Sequence, residues 1–172
     1  MEMTTVNQRC IGVVVFFLAV AGASATAAQG SKQANLKVTA QVIGNCLVTT
    51  QDLAFGNYDP VGANATTPAD ATGLIELTCS RGLVATIALG LGQNAQATTR
   101  RMADPGAGRL EYELYQDGGR TVVWGGPGAG DRVLPAAPST ATRLYAVYGR
   151  VRQGQDQPVG AYTDTVVVTV TF

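Results

Sequence analysis

The sequence predicts an all-β protein with the architecture of an immunoglobulin-like β-sandwich. Three observations lead to this prediction. Apolar and polar residues alternate with a period of two in several short runs, while helical periodicity is nearly absent. Clusters of Gly, Pro, Asn and Asp separate these runs. The chain has 172 residues, of which 46% are hydrophobic and 14% charged, which suits one domain with a substantial core.

The composition excludes several classes of function. Twelve Lys and Arg residues balance 12 Asp and Glu residues, so the chain lacks the basic excess that binds nucleic acid or anionic lipid. The sequence contains no histidine, which excludes a Ser-His-Asp triad, an H-E-x-x-H zinc site and a histidine-based pH switch. We therefore expect a structural or binding protein without a cofactor, and not an enzyme.

The first 27 residues have the pattern of a secretory signal peptide. Their apolar core, residues 11–20, is too short to span a bilayer. Small residues follow, with A-x-A cleavage options at residues 23–25 and 25–27. We expect an exported protein that retains no membrane span after cleavage.

Cleavage would leave two cysteines, Cys46 and Cys79. An even number of cysteines in an exported chain indicates one disulfide. A two-thiol metal site is the other interpretation, but the chain offers neither a C-x-x-C spacing nor a histidine ligand. We therefore predict a disulfide and no metal.

The predicted strands follow one another along the rest of the chain. The first alternating run contains Leu36, Val38, Ala40 and Val42 and ends before Gly44. A short strand is predicted over residues 53–58, and a turn-rich loop follows over residues 59–72. Further strands are predicted over residues 74–79, 83–91, 110–115, 121–124, 144–151 and 162–172.

The last predicted strand is the most apolar. Val166, Val168, Val170 and Phe172 share one face, and threonines occupy most of the other. Because exposed edge strands usually carry charge or proline, this strand is expected to be paired on both sides, although nothing downstream in this sequence can supply a partner. Two interpretations remain open at this point: two other strands of the same chain flank it, or a second chain provides one of them.

The charged residues do not suggest a catalytic site. Glu111 and Glu113 lie two apart on one strand and are expected on a solvated face, unlike glycosidase carboxylates, which come from opposite sides of a cleft. Two pairs of nearby arginines occur, Arg100 with Arg101 and Arg150 with Arg152. Each of these arginines is predicted to form an ion pair with an acidic residue at the surface, rather than to bind an anionic ligand.

A series of short motifs resembles the spore coat protein U domain, a family that includes the subunits of archaic (Csu-type) chaperone–usher pili. The matching motifs occur in order along the chain: GNC at 44–46, LAFGNY at 53–58, GLIELTC at 73–79, RM at 101–102, LEYELY at 110–115, WG at 124–125, YGRV at 148–151, GAYTD at 160–164 and the valine–threonine strand to Phe172. Each motif is weak by itself, but the ordered set with two cysteines and a terminal phenylalanine is specific.

This resemblance implies an incomplete sandwich that lacks its last strand and is completed by donor-strand complementation. It implies a donor or first-strand segment over residues 28–43, with Leu36, Val38, Ala40 and Val42 as plugs, followed by the domain over residues 44–172. It also implies an acceptor groove, which contacts a chaperone, lined partly by Val166, Val168, Val170 and Phe172. The alternation does not separate the donor from the domain's own first strand.

The resemblance further implies partners and a role. A periplasmic chaperone would lend the missing strand, an outer-membrane usher would exchange it, and neighbouring subunits would form a head-to-tail polymer. The expected protein is a secreted subunit of a cell-surface fibre that supports adhesion or biofilm formation. Two alternatives are a spore or cell coat component with the same domain, and a monomeric carbohydrate-binding module built on Trp124, Tyr112 and Tyr115, although a lone Trp in a hairpin strand usually packs in a core.

Overall fold

The computed structural model describes residues 29–125 and 130–172, so the predicted signal peptide lies outside the described residues. Within those ranges the regular structure is entirely β, and no helix has the length and apolar character needed to cross a membrane. Residues 40–172 form one compact unit that contains every strand. Residues 29–39, in a separate unit, lie outside the strands and are exposed.

Eight strands form two sheets in the described residues. The strands are β1 (Cys46–Gln51), β2 (Ala69–Cys79), β3 (Thr86–Leu89), β4 (Arg100–Ala103), β5 (Arg109–Tyr115), β6 (Arg132–Val133), β7 (Arg143–Val151) and β8 (Val168–Thr171). The five-stranded sheet has the order β1-β2-β7-β5-β4, and the three-stranded sheet has the order β6-β3-β8. All pairs are antiparallel.

The core lies between the two sheets, as the period-two alternation predicts. In β5 and over residues 73–79 of β2 every second residue is buried, and the residues between them are partly exposed. This pattern arises because successive side chains of a strand point to opposite faces of the sheet. The buried apolar side chains from both sheets include Ile75, Leu77, Ile87, Leu89, Leu110, Leu114 and Val151, and Trp124 joins them from outside the strands. The β-sandwich prediction is confirmed.

The strand boundaries agree with the sequence best where alternation is strong. The strands predicted over residues 110–115 and 144–151 each begin one residue earlier, as β5 and β7. Residues 53–58 form no strand, and the strand predicted over 162–172 is shortened to β8. Three strands, β1, β4 and β6, are not among those that the sequence predicts. Two of these have four residues or fewer, too few for an alternating pattern to be detected.

Arg100 is not the surface residue that the sequence analysis expected, because its side chain is 1% exposed. Its Nη2 donates to the backbone oxygens of Gly90 at 2.9 Å and Trp124 at 2.8 Å, and its Nη1 pairs with Glu113. The guanidinium therefore joins β4 and β5 of one sheet to the end of β3 in the other. A buried charge is tolerated here because most of its donors have acceptors.

Of the other predicted ion-pair partners, Arg150 and Arg152 pair with acids at the surface. Arg101 forms no ion pair in the described residues and donates instead to the Asn94 backbone oxygen and to Gln96 Oε1. Arg150 forms two hydrogen bonds to Asp70, from Nε at 2.7 Å and from Nη2 at 2.8 Å. The Arg150 guanidinium holds the pKa of the Asp70 carboxyl below its ordinary value, with a smaller contribution from Arg120. Arg152 pairs with Glu111. The pairing of Glu111 and Glu113 with arginines is typical of structural carboxylates.

The predicted disulfide joins Cys46 and Cys79. The two residues lie directly opposite each other in the register of β1 and β2, with their Cα atoms 4.1 Å apart. Because the side chains of β1 are largely exposed, the strand is held mainly by its hydrogen bonds to β2 and by this covalent link. The disulfide fixes the first residue of β1 to the last residue of β2.

Replacing both cysteines, Cys46→Ser with Cys79→Ser, is expected to lower the free energy of unfolding by about 3–4 kcal/mol, because the disulfide closes a loop in the unfolded chain. Urea denaturation of the oxidised wild type and the double variant measures this difference. Reduced wild-type protein is the control and should unfold like the variant. An unchanged midpoint would show that the disulfide does not stabilise the fold.

Candidate functional site

One edge of β8 lacks a partner in the part of the chain that the structure describes. On its other side β8 pairs with β3, with Val168 opposite Leu89 and Val170 opposite Ile87. Thr169 and Thr171 point outward and are exposed, while Val168 and Val170 pack against the core and remain partly exposed. A row of backbone N–H and C=O groups therefore remains available on the unpaired edge.

An open cleft of about 1160 Å³ lies beside this strand. The inner face of the five-stranded sheet forms its floor, and residues 50–58 and residues 155–168 form its walls. The apolar residues that line it include Leu53, Phe55, Ile75, Leu89, Met102, Leu110, Tyr112, Leu114, Val147, Val151, Tyr162, Val166 and Val168. The cleft thus lies beside β8, and the side chains that the five-stranded sheet contributes to it are mainly apolar.

Two glycines of the five-stranded sheet leave room for the wall formed by residues 50–58. A Cβ atom on Gly149 would lie 2.8 Å from the Phe55 ring and 2.9 Å from the Leu53 side chain. A Cβ atom on Gly73 would lie 3.0 Å from the Leu53 Cβ. The absence of these side chains lets residues 53–58 cross the inner face of the sheet, where the Phe55 ring reaches Tyr112 at 6.2 Å between centroids.

Replacing Gly149 with alanine is therefore expected to displace Leu53 and Phe55 and to cost about 1–3 kcal/mol of stability, as overpacking of a core does. Chemical denaturation measures the cost. Gly118→Ala is the matched control, because its Cβ atom would meet its nearest neighbour at an ordinary 3.6 Å. Equal stability of the two variants would contradict this account of the wall.

A polar cluster fixes the segment that leads into β8. The Tyr112 hydroxyl donates to Asp164 Oδ2 at 2.6 Å. The other carboxylate oxygen, Oδ1, accepts from the Gln93 backbone N–H at 2.9 Å and from Asn94 Nδ2 at 3.0 Å. Burial and the Asp164 carboxylate raise the pKa of the Tyr112 hydroxyl well above its ordinary value.

The raised pKa of Tyr112 predicts a loss of stability in alkali. The unfolded tyrosine ionises near pH 10 whereas the folded one stays protonated, so its contribution is complete below pH 10 and is lost as the pH rises further. Between pH 10 and 11 the wild type should lose about 1 kcal/mol more stability than Tyr112→Phe. Denaturation at both pH values tests this, and parallel losses would contradict it.

Only two of the four predicted acceptor residues line the cleft. Val166 and Val168 line the cleft together. Val170 packs against the core beyond the lining residues. Phe172 lies outside β8, is 55% exposed and does not line the cleft.

The predicted donor residues form no strand in the described chain. Leu36, Val38 and Val42 are more than 80% exposed, and Ala40 is exposed as well. Apolar side chains at alternate positions are thus left without the burial that their pattern predicts.

Several residues of the cleft are not predicted from the sequence. The pattern at Leu53 and Phe55 predicts a strand, but these residues pair with no strand and instead belong to the wall formed by residues 50–58. Met102 and Tyr162 also line the cleft, and no local pattern distinguishes them from ordinary core residues.

The aromatic residues considered for sugar binding do not form an exposed platform. The Trp124 side chain is fully buried, and its Nε1 donates to the Ile87 backbone oxygen at 3.1 Å. Tyr112 is buried in the floor of the cleft. Within residues 29–125 and 130–172, no group of three or more Cys, Asp or Glu side chains is arranged to hold a metal ion.

Comparisons with known proteins agree with this architecture. The family model described as Spore Coat Protein U domain matches residues 32–169. The chain is 37% identical over 153 residues to Protein U of Myxococcus xanthus, covering 81% of this chain and 84% of that protein.

A solved structure with a similar fold is the CsuC–CsuE complex from archaic chaperone–usher Csu pili of Acinetobacter baumannii, which joins a chaperone and a tip adhesion subunit before assembly. The match has a TM-score of 0.56 at 22% identity and covers 76% of this chain but only 40% of the solved chain. This second comparison concerns the fold. The family match spans nearly the whole described chain, and the protein therefore belongs to the spore coat protein U domain family.

Proposed function

We propose that this protein is a secreted, non-catalytic subunit of a cell-surface fibre, in which the cleft of each subunit is filled by residues 28–43 of a neighbour. The observation that carries the proposal is the unpaired edge of β8 beside an open apolar cleft. An added strand would pair its backbone with β8 and place alternate side chains on the cleft floor.

The donor segment has the chemistry that such a cleft requires. Leu36 and Val42 are six residues apart, so four plugs at alternate positions span about 20 Å in an extended strand. Burial of these four side chains would contribute about 5–8 kcal/mol. A domain has a total stability of about 5–15 kcal/mol, so an empty cleft would leave the single subunit marginally stable.

The proposed partners follow from this incompleteness. A periplasmic chaperone would fill the cleft before assembly, an outer-membrane usher would exchange its strand for a donor segment, and like subunits would follow head to tail. The fold similarity to a subunit held in a chaperone complex supports the first of these partners. The resulting linkage is heterologous and propagates without closing, as a fibre requires. Adhesion and biofilm formation are the roles proposed for that fibre.

A synthetic peptide of residues 31–45 tests the proposal directly. When the mature protein is refolded with an excess of this peptide, we expect 1:1 binding and a rise in Tm of at least 5 °C, because a ligand that binds only the folded state stabilises it. A peptide with Val38→Asp is the matched control and should have no effect. Failure of the wild-type peptide to bind would contradict the proposal.

A structural component of a spore or cell coat is the second candidate. It is favoured by the family description and by the similarity to Protein U. Disruption of the gene distinguishes the two roles: loss of surface filaments supports the fibre, and an altered coat with normal filaments supports the coat.

A further inference from the structure

Two arginines point into the space between the sheets, at the edge of the three-stranded sheet that lies away from β8. Arg132 in β6 is opposite Ile87, and Arg143 in β7 is opposite Leu77. Both of these partners are fully buried, and residues opposite each other in a pair of strands share a face of the sheet. β6 and β8 are the two edges of the three-stranded sheet, and neither arginine lines the cleft. The arginines therefore occupy a different part of the molecule from the cleft.

The ring of Tyr145 holds the two guanidinium groups near each other. The Arg132 Cζ atom lies 5.1 Å from the centroid of this ring, and the Arg143 Cζ atom lies 5.9 Å from it. Arg132 also lies 5.5 Å from the centroid of the Trp124 ring. These distances are those of cation–π contacts, which here place two positive charges beside one aromatic side chain. Because a ring face is a weak hydrogen-bond acceptor, such contacts leave the N–H donors in need of other partners.

Arg143 has donors without acceptors in the part of the chain that the structure describes. Its Nη1 donates to the Pro135 backbone oxygen at 3.1 Å, whereas its Nε and Nη2 atoms are buried and have no partner. Nε and Nη2 are the same two positions with which Arg150 binds both carboxylate oxygens of Asp70. The unpaired side of the Arg143 guanidinium is therefore a side that arginine can offer to a pair of oxygens.

No acidic side chain neutralises these two arginines within residues 29–125 and 130–172, where every ion pair involves other arginines. Asp131, the adjacent acid in the chain, is exposed and pairs with neither of them. Two like charges in partly buried positions repel each other, and buried polar groups without a protein partner are commonly satisfied by an ion or a water. An anion between the two guanidinium groups would remove the repulsion and supply the missing acceptors.

We propose that Arg132 and Arg143 form a binding site for a sulfate or phosphate group in the gap between β6 and β7. Two oxygens of the group would accept from Nε and Nη2 of Arg143. A third would accept from Arg132, which is partly exposed at the edge of its sheet and marks the side on which the group enters. A carboxylate has no third oxygen, so it would satisfy the two arginines less completely. The group is either a free ion or part of a polysaccharide, and the inference does not rest on the proposed fibre.

The single tryptophan of the chain reports binding, because Trp124 lies beside Arg132. When the mature, oxidised protein is titrated with sodium sulfate at constant ionic strength, we expect a saturable change in tryptophan fluorescence. Arg143→Met should weaken the apparent affinity by about tenfold or more, because it removes two charge-assisted hydrogen bonds.

Arg101→Met is the matched control for this titration. Arg101 also has no ion pair in the described residues, but it lies in β4 of the other sheet, so its replacement should leave the affinity close to that of the wild type. A wild type without a saturable change, or equal affinities of the wild type and Arg143→Met, would overturn the inference. Equal losses in Arg143→Met and Arg101→Met would overturn it as well, because they would reveal an effect of net charge alone.

Thermal unfolding provides a second measurement that does not depend on the folding of Arg143→Met. Sulfate stabilises most proteins because it is excluded from their surface, and every variant shares this effect. Binding to the folded state adds a rise in Tm that begins at much lower sulfate concentrations. We expect this added rise in the wild type and in Arg101→Met but not in Arg132→Met. Equal rises in the three proteins would overturn the inference.

Dextran sulfate distinguishes the two sources of the group. Binding of this polymer at the same concentration of sulfate groups, with loss of binding in Arg143→Met, would identify a group carried by a polysaccharide. Binding of free sulfate alone would identify a free ion. Failure of both probes to bind would overturn the inference and leave the proposed function standing.

Discussion

Deletion of residues 28–43 is expected to abolish polymerisation completely while leaving the sandwich folded. The deletion removes all four proposed plugs, and it leaves the strands and the disulfide in place because they begin at Cys46. The cleft of the shortened subunit stays intact, so it should still be captured by the periplasmic chaperone. Electron microscopy measures the fibres, and co-purification measures capture.

A point variant tests the contribution of the plug residues separately from that of the rest of the donor segment. Val38→Asp should also prevent assembly, because a carboxylate would have to enter an apolar cleft at a cost of several kcal/mol. Lys37→Ala is the matched control, since residue 37 lies between two plugs and would point away from the cleft floor. Fibres of normal length from Val38→Asp would contradict the proposed donor.

Val168→Asp is expected to have an equally large effect on the acceptor side. Val168 lines the cleft, packs partly against the core and pairs with Leu89. An aspartate there would be covered by any strand that fills the cleft, so binding of the chaperone and of a donor should both be lost. Co-purification with the chaperone should fall to background, and the uncaptured subunit should be degraded in the periplasm.

Thr169→Asp provides the matched control for this variant. Thr169 is the next residue of the same strand and points outward into solvent, so a carboxylate there should leave capture and assembly normal. Normal co-purification of Val168→Asp would contradict the assignment of the cleft as the acceptor. Loss of capture in both variants would show that charge on β8, and not the cleft, is responsible.

Refolding the two purified defective subunits together in vitro, where neither the chaperone nor periplasmic proteases act on them, tests the direction of assembly. The deletion variant retains a cleft and lacks a donor, whereas Val168→Asp retains a donor and has a damaged cleft. One donor and one cleft can form only one link between subunits, so the mixture should yield heterodimers and nothing larger. Longer polymers from this mixture would contradict a head-to-tail linkage through these two elements.

The local pattern of the sequence determined which faces are buried. Alternation along β2, β5 and β8 predicted the inward residues because a pleated strand projects side chains to opposite sides whatever it pairs with. The cysteine count predicted the Cys46–Cys79 bond for a similarly simple reason: two cysteines lie outside the predicted signal peptide, and two cysteines have one pair to form. The family resemblance rested on short motifs of the same local kind.

Only the tertiary structure decided where strands pair and which polar groups are buried. Arg100 reads as a surface residue, yet it is buried because carbonyl oxygens from the separate segments at Gly90 and Trp124 converge on it. Residues 53–58 alternate like a strand but have no strand beside them, so they become a wall of the cleft. Strand pairing joins residues far apart in the chain, so the apolar pattern of the last strand left its pairing open, and only the assembled sheets leave one edge of β8 free within the described residues.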